Sequence, residues 1–394
     1  MTRTTRPLSA GVRSGVASMT RLTITAAVVG VLSTAAAVAM PTVARADRGA
    51  PSARVSVAAA STSFTSPEHG WVLGAAPCHQ GRCTVVVQTA TAGRSWTRVH
   101  GPGVPLAGSS APGVNRVHFA DDRNGWVFAP QLHVTHDGGR TWTSLAVPGG
   151  GRQVAALTSG GGVVYAVVSS CVVGDPTRCP KPAAVWRSPV AANHWTRVPI
   201  ALSAQDQPAL SASGRTAYVV VVDPSVTAQP VFQATTDGGS HWSPRPSPCD
   251  AATGERLKVD AVTATRVALL CSTDTQPGIY TKRVFVSADT ARTTTRRGTA
   301  PAVDQPQDLA VSGQVIAIAG VGGASVIQRS PDGGQGWRTA YAAPPAGMND
   351  LTLDGATGTV VRGTADLPGG VGQLLLSHDT GRHWAVTPVR VPAE

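Results

Sequence analysis

The sequence predicts an all-β fold, a seven-bladed β-propeller with four antiparallel strands in each blade, preceded by a signal peptide. A pattern of the form Ser/Thr-x-Asp-x-Gly-x-x-Trp, here called the box, recurs with starts at residues 89, 135, 188, 235, 287, 330 and 377. Recurrence at a nearly constant period is the signature of a repeat architecture. The 43 glycines and 30 prolines, between short β-branched runs, indicate strands and turns rather than helices.

The first 46 residues are predicted to be a signal peptide. An uncharged run from Leu22 to Met40 follows several arginines, and Ala44 and Ala46 supply the small residues of a cleavage site. The run is also long enough for a membrane anchor, which stays open as an alternative, and Met19 is a second possible start. Cleavage would release a secreted chain that has no stable membrane span.

The charge of the remaining chain argues against a nucleic-acid partner. Cleavage removes five arginines and no acidic residue, so the net charge falls from +11 to +6. The basic residues are scattered and form no Lys/Arg-rich run. Anionic polymers of a cell envelope remain possible partners.

Four copies of the box are intact and three are worn. The worn copies start at Thr89, Ser188 and Ser287, and the last of these has Thr294 in place of the tryptophan. Asp and Gly suit a tight turn, and the tryptophan can bury its ring against the sheet. We therefore interpret the box as a structural turn and expect the blade with the Ser287 copy to be the least well anchored. The structural residues of the intact boxes are Asp137, Gly139, Trp142, Asp237, Gly239, Trp242, Asp332, Gly334, Trp337, Asp379, Gly381 and Trp384.

Four strands are predicted in every repeat, in an order that ends with a short strand after the box. The second strand is a continuous apolar run, as in the stretches that begin at Val163, Ala217 and Val315, which suits a strand buried on both faces. A closed ring is favoured over an open solenoid because the end repeats lack polar caps. The predicted domains are a signal peptide at 1–46, a linker at 47–56 and a propeller at 57–391, with blades at 57–100, 114–148, 152–200, 208–246, 257–298, 306–343 and 348–391.

Six cysteines in an exported chain indicate disulfides. Fifteen pairings are possible, and the local one is favoured: Cys78 with Cys83, Cys171 with Cys179, and Cys249 with Cys271. Neither short cysteine loop has the Cys-x-x-Cys spacing of a metal site, so the sequence predicts no metal and no cofactor.

The intact boxes resemble the Asp-box, or BNR repeat, of sialidase-like propellers. A finer resemblance lies in the first two repeats, where Phe64 and Phe119 each stand six residues before Gly-Trp-Val. This spacing is similar to the propellers of the photosystem II assembly-factor family and their exported bacterial relatives. The resemblance implies a propeller fold with structural boxes.

No catalytic residue is predicted. The chain lacks the Arg-Ile-Pro motif that the sialidase resemblance would require, and it lacks Gly-x-Ser-x-Gly. Of the glutamates after residue 46, only Glu255 is a plausible activator. Several aspartates could reach one face, but their spacing selects no pair for a two-carboxylate glycosidase. These are Asp175, Asp206, Asp250, Asp304 and Asp350.

The predicted function is a secreted, non-catalytic and monomeric propeller that binds a protein or a cell-envelope polymer. We expect its binding face on the side opposite the boxes, where the cysteine loops lie. The candidate residues are His79, Arg82, Asp175, Arg178 and Lys181. One alternative is an extracellular glycoside hydrolase or lyase that uses aspartates at the channel mouth, and a second is a structural surface protein without a small ligand.

Overall fold

The computed structural model describes most of the compact unit Pro51–Glu394. The described residues are 53–79, 81–107, 113–171, 182–200, 202, 207–222, 230–322, 326–342, 350–354, 362–367 and 371–393, and side chains are not described at 207–208, 222, 350–354, 362–367 and 371. The predicted signal peptide and most of the predicted linker lie outside these residues.

The described chain is built of strands and turns. Its strands are β1 (Arg54–Ser56), β2 (Ala58–Phe64), β3 (Gly70–Cys78), β4 (Gly81–Thr89), β5 (Thr97–Val99), β6 (Arg116–Phe119), β7 (Gly125–Phe128), β8 (Leu132–Thr135), β9 (Thr143–Leu145), β10 (Gln153–Gly160), β11 (Val163–Ser169), β12 (Ala184–Pro189), β13 (Thr196–Arg197), β14 (Gln207–Ser213), β15 (Thr216–Val222), β16 (Val231–Thr235), β17 (Ser243–Pro244), β18 (Arg256–Ala261), β19 (Val267–Gln276), β20 (Ile279–Ser287), β21 (Thr295–Thr299), β22 (Gln305–Ser312), β23 (Val315–Val321), β24 (Val326–Ser330), β25 (Arg338–Ala342), β26 (Asp350–Asp354), β27 (Arg362–Leu367), β28 (Val371–Leu376), β29 (Ala385–Thr387) and β30 (Arg390–Pro392). Two short 3-10 turns, Pro148–Gly150 and Ala251–Thr253, lie in connections between sheets.

Consecutive strands pair into antiparallel four-stranded sheets, which we number as blades along the chain. Blade 1 is β2–β5, blade 2 is β6–β9, blade 3 is β10–β13, blade 4 is β14–β17, blade 5 is β18–β21 and blade 6 is β22–β25, and the sheet β26–β29 that follows is here called the last sheet. The first strand of each blade contacts the first strand of the next, and β26 contacts β2. This cyclic contact confirms the predicted all-β propeller.

The predicted count of seven blades is wrong, and the propeller has six blades of four antiparallel strands. Blades 1 to 6 have described side chains on all four strands, whereas backbone pairing alone defines β26 and β27 of the last sheet. Packing therefore establishes six blades of the predicted kind. A further sheet, in which β1 pairs with β30, was not predicted. Strands of three residues outside the repeats carry no periodic signal from which they could be predicted.

The core lies between neighbouring blades. The second strands are buried on both faces, as in β11, where Val164 through Ser169 are all buried. Their β-branched side chains fill the space between adjacent sheets, as expected for strands without a solvated face. The interface between blades 1 and 2 shows this packing, because the rings of Trp71 and Phe119 stack with centroids 3.8 Å apart.

Two faces of the propeller differ in the turns that they carry. On the box face lie the turns from the first strand to the second and the box turns from the third strand to the fourth. On the opposite face, here called the hairpin face, lie the hairpins from the second strand to the third and the connections between blades. Among the described residues, no helix is long and apolar enough to cross a membrane.

Candidate functional site

The box turns are held by hydrogen bonds within eight residues. In blade 2, Thr135 Oγ1 donates to Asp137 Oδ1 over 2.8 Å and accepts from Gly139 N over 2.8 Å, while Thr141 N donates to Asp137 Oδ1 over 2.9 Å. These bonds, led by that from the Thr141 hydroxyl, lower the pKa of Asp137 to about 2. Gly139 has φ +91°, which glycine adopts without steric cost.

The same turn recurs in blades 4 and 6 and in the last sheet, and also in blade 5, where the box is worn. There Ser287 Oγ donates to Asp289 Oδ1 over 2.7 Å and accepts from Ala291 N over 2.9 Å. Hydrogen bonds to the Asp237 and Asp379 carboxylates also lower their pKa. Each box aspartate is occupied by its own turn and stands in a different blade, so the boxes do not assemble a shared catalytic pair.

Several box turns also receive a hydrogen bond from the preceding blade. The acceptor is the carbonyl at the fourth box position: Arg187 Nη1 donates to Gly238 O over 2.8 Å, and Arg329 Nε donates to Thr380 O over 2.7 Å. In blade 5, Arg245 Nε donates to Thr290 O over 2.6 Å. These inter-blade contacts were not predicted, because nothing in the repeat shows which arginine faces the next turn.

The structure confirms two of the three predicted disulfides. Cys78 is bonded to Cys83 at the tip of the β3–β4 hairpin, and Cys249 is bonded to Cys271 between blades 4 and 5. Cys171 is disulfide-bonded as well, and its predicted partner Cys179 lies outside the described residues. Disulfides are typical of an oxidising environment.

One cluster brings together groups that can bind metal ions. The sulfurs of Cys249 and Cys271 and a carboxylate oxygen of Glu255 lie within 4.8 Å of one another. The two sulfurs are bonded to each other, so no thiolate is available as a ligand. The carboxylate is also engaged, because Glu255 Oε1 accepts from Arg283 Nε over 2.7 Å and Oε2 accepts from Asp250 N over 2.7 Å.

The contact with Arg283 decides the role of Glu255, the possible activator suggested by the sequence. Its side chain is buried, and both carboxylate oxygens bond to the Arg283 guanidinium. The same contact raises the pKa of Arg283. Glu255 is therefore a partner in a buried ion pair, where it has no access to a substrate.

The predicted binding-face residues are only partly within the described chain. His79 and Arg82 lie on the hairpin face, next to the Cys78–Cys83 disulfide, and Arg82 Nη2 donates to Ala75 O over 3.2 Å. Arg82 and Arg116 line a cavity of about 280 Å³ between blades 1 and 2. Asp175, Arg178 and Lys181 lie outside the described residues, so the structure does not bring the predicted set together.

A larger cavity of about 380 Å³ opens on the hairpin face beside blade 5. The residues that line it come from the first strands of blades 4, 5 and 6, from the β19–β20 hairpin and, for Gly254, from the connection between blades 4 and 5. They are Ala209, Gly254, Arg256, Leu257, Lys258, Ser272, Thr273, Asp274, Tyr280, Gln305, Pro306 and Gln307. This group was not predicted from the sequence, because its members are adjacent only when three blades are assembled.

The cavity is polar and carries one carboxylate. Among its described lining residues, Asp274 is the only acid, while Arg256 and Lys258 are basic. The other aspartates considered from the sequence lie elsewhere: Asp250 caps a short turn by accepting from Ala252 N over 3.0 Å, and Asp304 is buried. Asp175 and Asp206 are outside the described residues, and so is the side chain of Asp350. The described lining therefore offers no pair of carboxylates for glycoside hydrolysis.

An exposed aliphatic pair, here called the rim, lies close in sequence to two residues that line this cavity, Tyr280 and Gln305. Ile279 and Val303 pair as an antiparallel bridge, and they are 44% and 51% exposed. Tyr280, which lines the cavity, follows Ile279 directly and donates its N–H to Ala302 O over 2.7 Å. Lys282 Nζ donates to Val303 O, which holds the backbone of the second residue of this pair. Large apolar side chains at a cavity mouth are a feature of interaction sites.

Comparisons with known proteins support the fold. No protein-family profile and no curated protein sequence matches the chain. A structure described as YCF48 bound to D1 peptide aligns with 82% of this chain and 96% of its own, with 18% identity and a TM-score of 0.51. A mitotic checkpoint complex chain aligns with 89% of this chain and 99% of its own, with 13% identity and a TM-score of 0.52. A puromycin hydrolase S511A mutant aligns with 84% of this chain but only 53% of its own, with 15% identity and a TM-score of 0.55.

Proposed function

We propose that this protein is a non-catalytic propeller that binds a segment of a protein partner on its hairpin face, at the cavity beside blade 5. The observation that carries the proposal is the exposed pair Ile279 and Val303 beside residues that line a polar cavity. An apolar side chain of a peptide can bury against this pair, while Gln305, Gln307 and Thr273 offer hydrogen bonds to its backbone. The fold likeness to YCF48, whose structure was determined with a peptide, is consistent with this use of a propeller.

Two further parts of the proposal concern the repeats and the location. We infer that the boxes are Asp-box repeats of the sialidase-like kind that have kept their structural role, and that the predicted signal peptide boundary holds. We also infer that the chain is exported, since its disulfides are typical of an oxidising environment. In this proposal the protein is a monomer and meets its partner at the cell envelope.

The proposal can be tested with charge substitutions on the rim. Ile279→Asp and Val303→Asp should weaken binding of peptides selected from a displayed library by at least about tenfold, which corresponds to roughly 1.4 kcal/mol. Val386→Asp is the matched control, because Val386 is 46% exposed in β29, away from the cavity. Fluorescence anisotropy measures the affinities. Equal loss in all three variants, or no loss on the rim, would contradict the proposed site.

A glycoside hydrolase of propeller fold is the alternative function. It predicts hydrolysis of an extracellular polysaccharide that depends on a carboxylate, and Asp274 is the only one in the described lining of the cavity. A glycan hydrolysis screen with the wild-type protein and Asp274→Asn separates the two functions. Turnover that Asp274→Asn abolishes would replace the binding proposal.

A further inference from the structure

Six of the interfaces between blades contain a box tryptophan. Each ring packs in the apolar cluster that its sheet forms with the preceding sheet, and for blade 1 the preceding one is the last sheet. The rings are Trp96, Trp142, Trp195, Trp242, Trp337 and Trp384. The Trp242 ring, for example, meets Tyr165 of blade 3 edge-on, with centroids 5.9 Å apart. Trp96 is buried and the other five rings are partly buried, and a tryptophan ring contributes a large contact area to such an interface.

The interface between blades 4 and 5 is built differently. Thr294 stands at the tryptophan position, and the apolar cluster contains the Cys249–Cys271 disulfide instead. Cys249 lies in the connection between the two blades, Cys271 lies in β19 of blade 5, and both are buried. Of the two disulfides with both cysteines in the described chain, this is the one that lies inside an inter-blade cluster.

Further contacts tie the same connection to blade 5. The buried Glu255 carboxylate bonds to Arg283 of β20, and its Oε2 accepts from Asp250 N over 2.7 Å. Thr273 Oγ1 of β19 donates to Thr253 O over 2.9 Å. The connection is therefore held at three points, by a covalent bond, an ion pair and a hydrogen bond.

These contacts adjoin residues that line the cavity. Cys271 is the cross-strand partner of Leu257, and Arg256 is the partner of Ser272. Leu257, Arg256 and Ser272 all line the cavity. A displacement of Cys271 or of the connection would therefore move the wall that these three residues form.

We infer that the Cys249–Cys271 disulfide, with the Glu255–Arg283 ion pair, takes the place of the missing box tryptophan at this interface and positions the wall of the binding cavity. Both pairs are positioning residues, since none of the four side chains is among those that line the cavity. The role of these contacts at the interface is independent of the proposed function. Only their consequence for binding rests on that function.

The experiment compares the two described disulfides. Cys249→Ala/Cys271→Ala should lower the melting temperature by about 5–10 °C, because a buried cross-link of two blades is lost. Its matched control, Cys78→Ala/Cys83→Ala, removes a bridge at a hairpin tip with a sequence separation of 5 and should lower it by only about 2 °C or less. Hydrogen exchange should accelerate at 256–258 and 272–274 in the first variant alone. Equal effects of the two variants, or acceleration spread over all blades, would overturn the inference.

Two further variants distinguish a specific role of these contacts at the interface from a general loss of stability. Thr294→Trp should recover part of the lost melting temperature in the Cys249→Ala/Cys271→Ala background and add little to the wild type. If the double cysteine variant does not fold, Glu255→Gln keeps the disulfide and should still accelerate exchange at 256–258. Normal exchange there would contradict the inference.

The binding consequence is measured with a peptide selected on the wild-type protein. Cys249→Ala/Cys271→Ala should weaken its binding at least about tenfold at a temperature where the variant is folded. If no peptide binds the wild type, the proposed function fails while the exchange results still decide the structural role. If a peptide binds and the variant keeps full affinity, the disulfide does not position the cavity.

Discussion

The box glycines are the residues where local conformation and packing act together. Gly239 has φ +83°, and a Cβ at this position would lie 2.8 Å from Tyr165 Cε1 in the preceding blade. Gly254, outside the boxes, has φ +70°, and a Cβ there would have no other atom within 4 Å. The two positions share the left-handed backbone and differ in the space around them.

This difference yields a matched pair of substitutions. Gly254→Ala should cost about 1–2 kcal/mol of unfolding free energy, the usual cost of a left-handed conformation for an L-residue. Gly239→Ala should cost about 2–4 kcal/mol, because overpacking against the Tyr165 ring is added. Urea denaturation of both variants measures the difference, and equal losses would show that the contact is relieved without cost.

His118 makes stability depend on pH. Its Nε2 lies 2.8 Å from Ser159 Oγ in the neighbouring blade, and burial lowers its pKa to about 4. Between about pH 6.5 and 4 the unfolded chain binds a proton that the folded protein does not, so stability falls as the pH is lowered through this window. Thermal unfolding of the wild type and His118→Gln should show a shallower decline for the variant, and parallel declines would assign the dependence to other groups.

At the scale of the element, the box links one blade to another. Trp142 Nε1 donates to His100 O, just after the last strand of blade 1, over 2.8 Å, and its ring meets Phe119 edge-on with centroids 6.2 Å apart. The turn itself needs only the hydrogen bonds of the threonine and the aspartate. The box therefore has two separable parts, the hydrogen-bonded turn and the tryptophan ring. Blade 5 keeps the turn although it has no tryptophan at this position.

Substitutions of Trp142 can separate ring packing from hydrogen bonding. Trp142→Phe keeps an aromatic ring and should cost about 1 kcal/mol, the usual net value of a hydrogen bond. Trp142→Ala also loses the apolar contact and should cost about 3 kcal/mol. Chemical denaturation gives both values, and similar losses for the two variants would mean that the ring contributes little.

The structure does not support the expectation that the blade with the worn box is the least well anchored. Blade 5 retains the box hydrogen bonds of Ser287 and Asp289, and it gains a disulfide and a buried ion pair. The expectation depends on the tryptophan alone, because that residue repeats. The compensating contacts involve Cys249, Cys271 and Glu255, which belong to no repeat, so the repeat pattern gives no sign of their contribution.

At the scale of the whole molecule, the two ends of the described chain meet. The pairing of β1 with β30 places Val391 beside Val57 and Leu374 in one apolar cluster, and Val391 is fully buried. The short sheet therefore closes the ring where blade 1 meets the last sheet. A ring that opened at this point would expose the cluster to water.

Closure can be weakened without touching a blade. Val391→Ala should cost about 1–3 kcal/mol of unfolding free energy, because buried methyl groups are removed. Val386→Ala, at an exposed position of the nearby strand β29, should change stability by less than about 0.5 kcal/mol. Differential scanning calorimetry of the pair measures the effect, and equal shifts would show that the closing strands do not contribute to stability.

The repeats, the box turns and two disulfides were accessible from the sequence because they involve residues that are close in the chain or in neighbouring repeats. Asp137 and Thr141 are four residues apart, and Cys78 and Cys83 are five apart, so chain connectivity alone brings them together. For the candidate site, the sequence predicted the face of the propeller but not the cavity. His79 and Arg82 do lie on the hairpin face, but the larger cavity is beside blade 5.

The sequence by itself determined that this protein is a propeller of box repeats, because strand periodicity and turn chemistry are local properties. Only the tertiary structure decided where a ligand could bind and what the unrepeated residues do. The cavity is lined by Ala209, Arg256 and Gln305, which come from three blades. Glu255, which the sequence suggested as a possible activator, is the buried partner of Arg283. Such contacts depend on the packing of blades around the ring. They join residues that are distant in the chain and do not recur with the repeat, so the repeat pattern does not predict them.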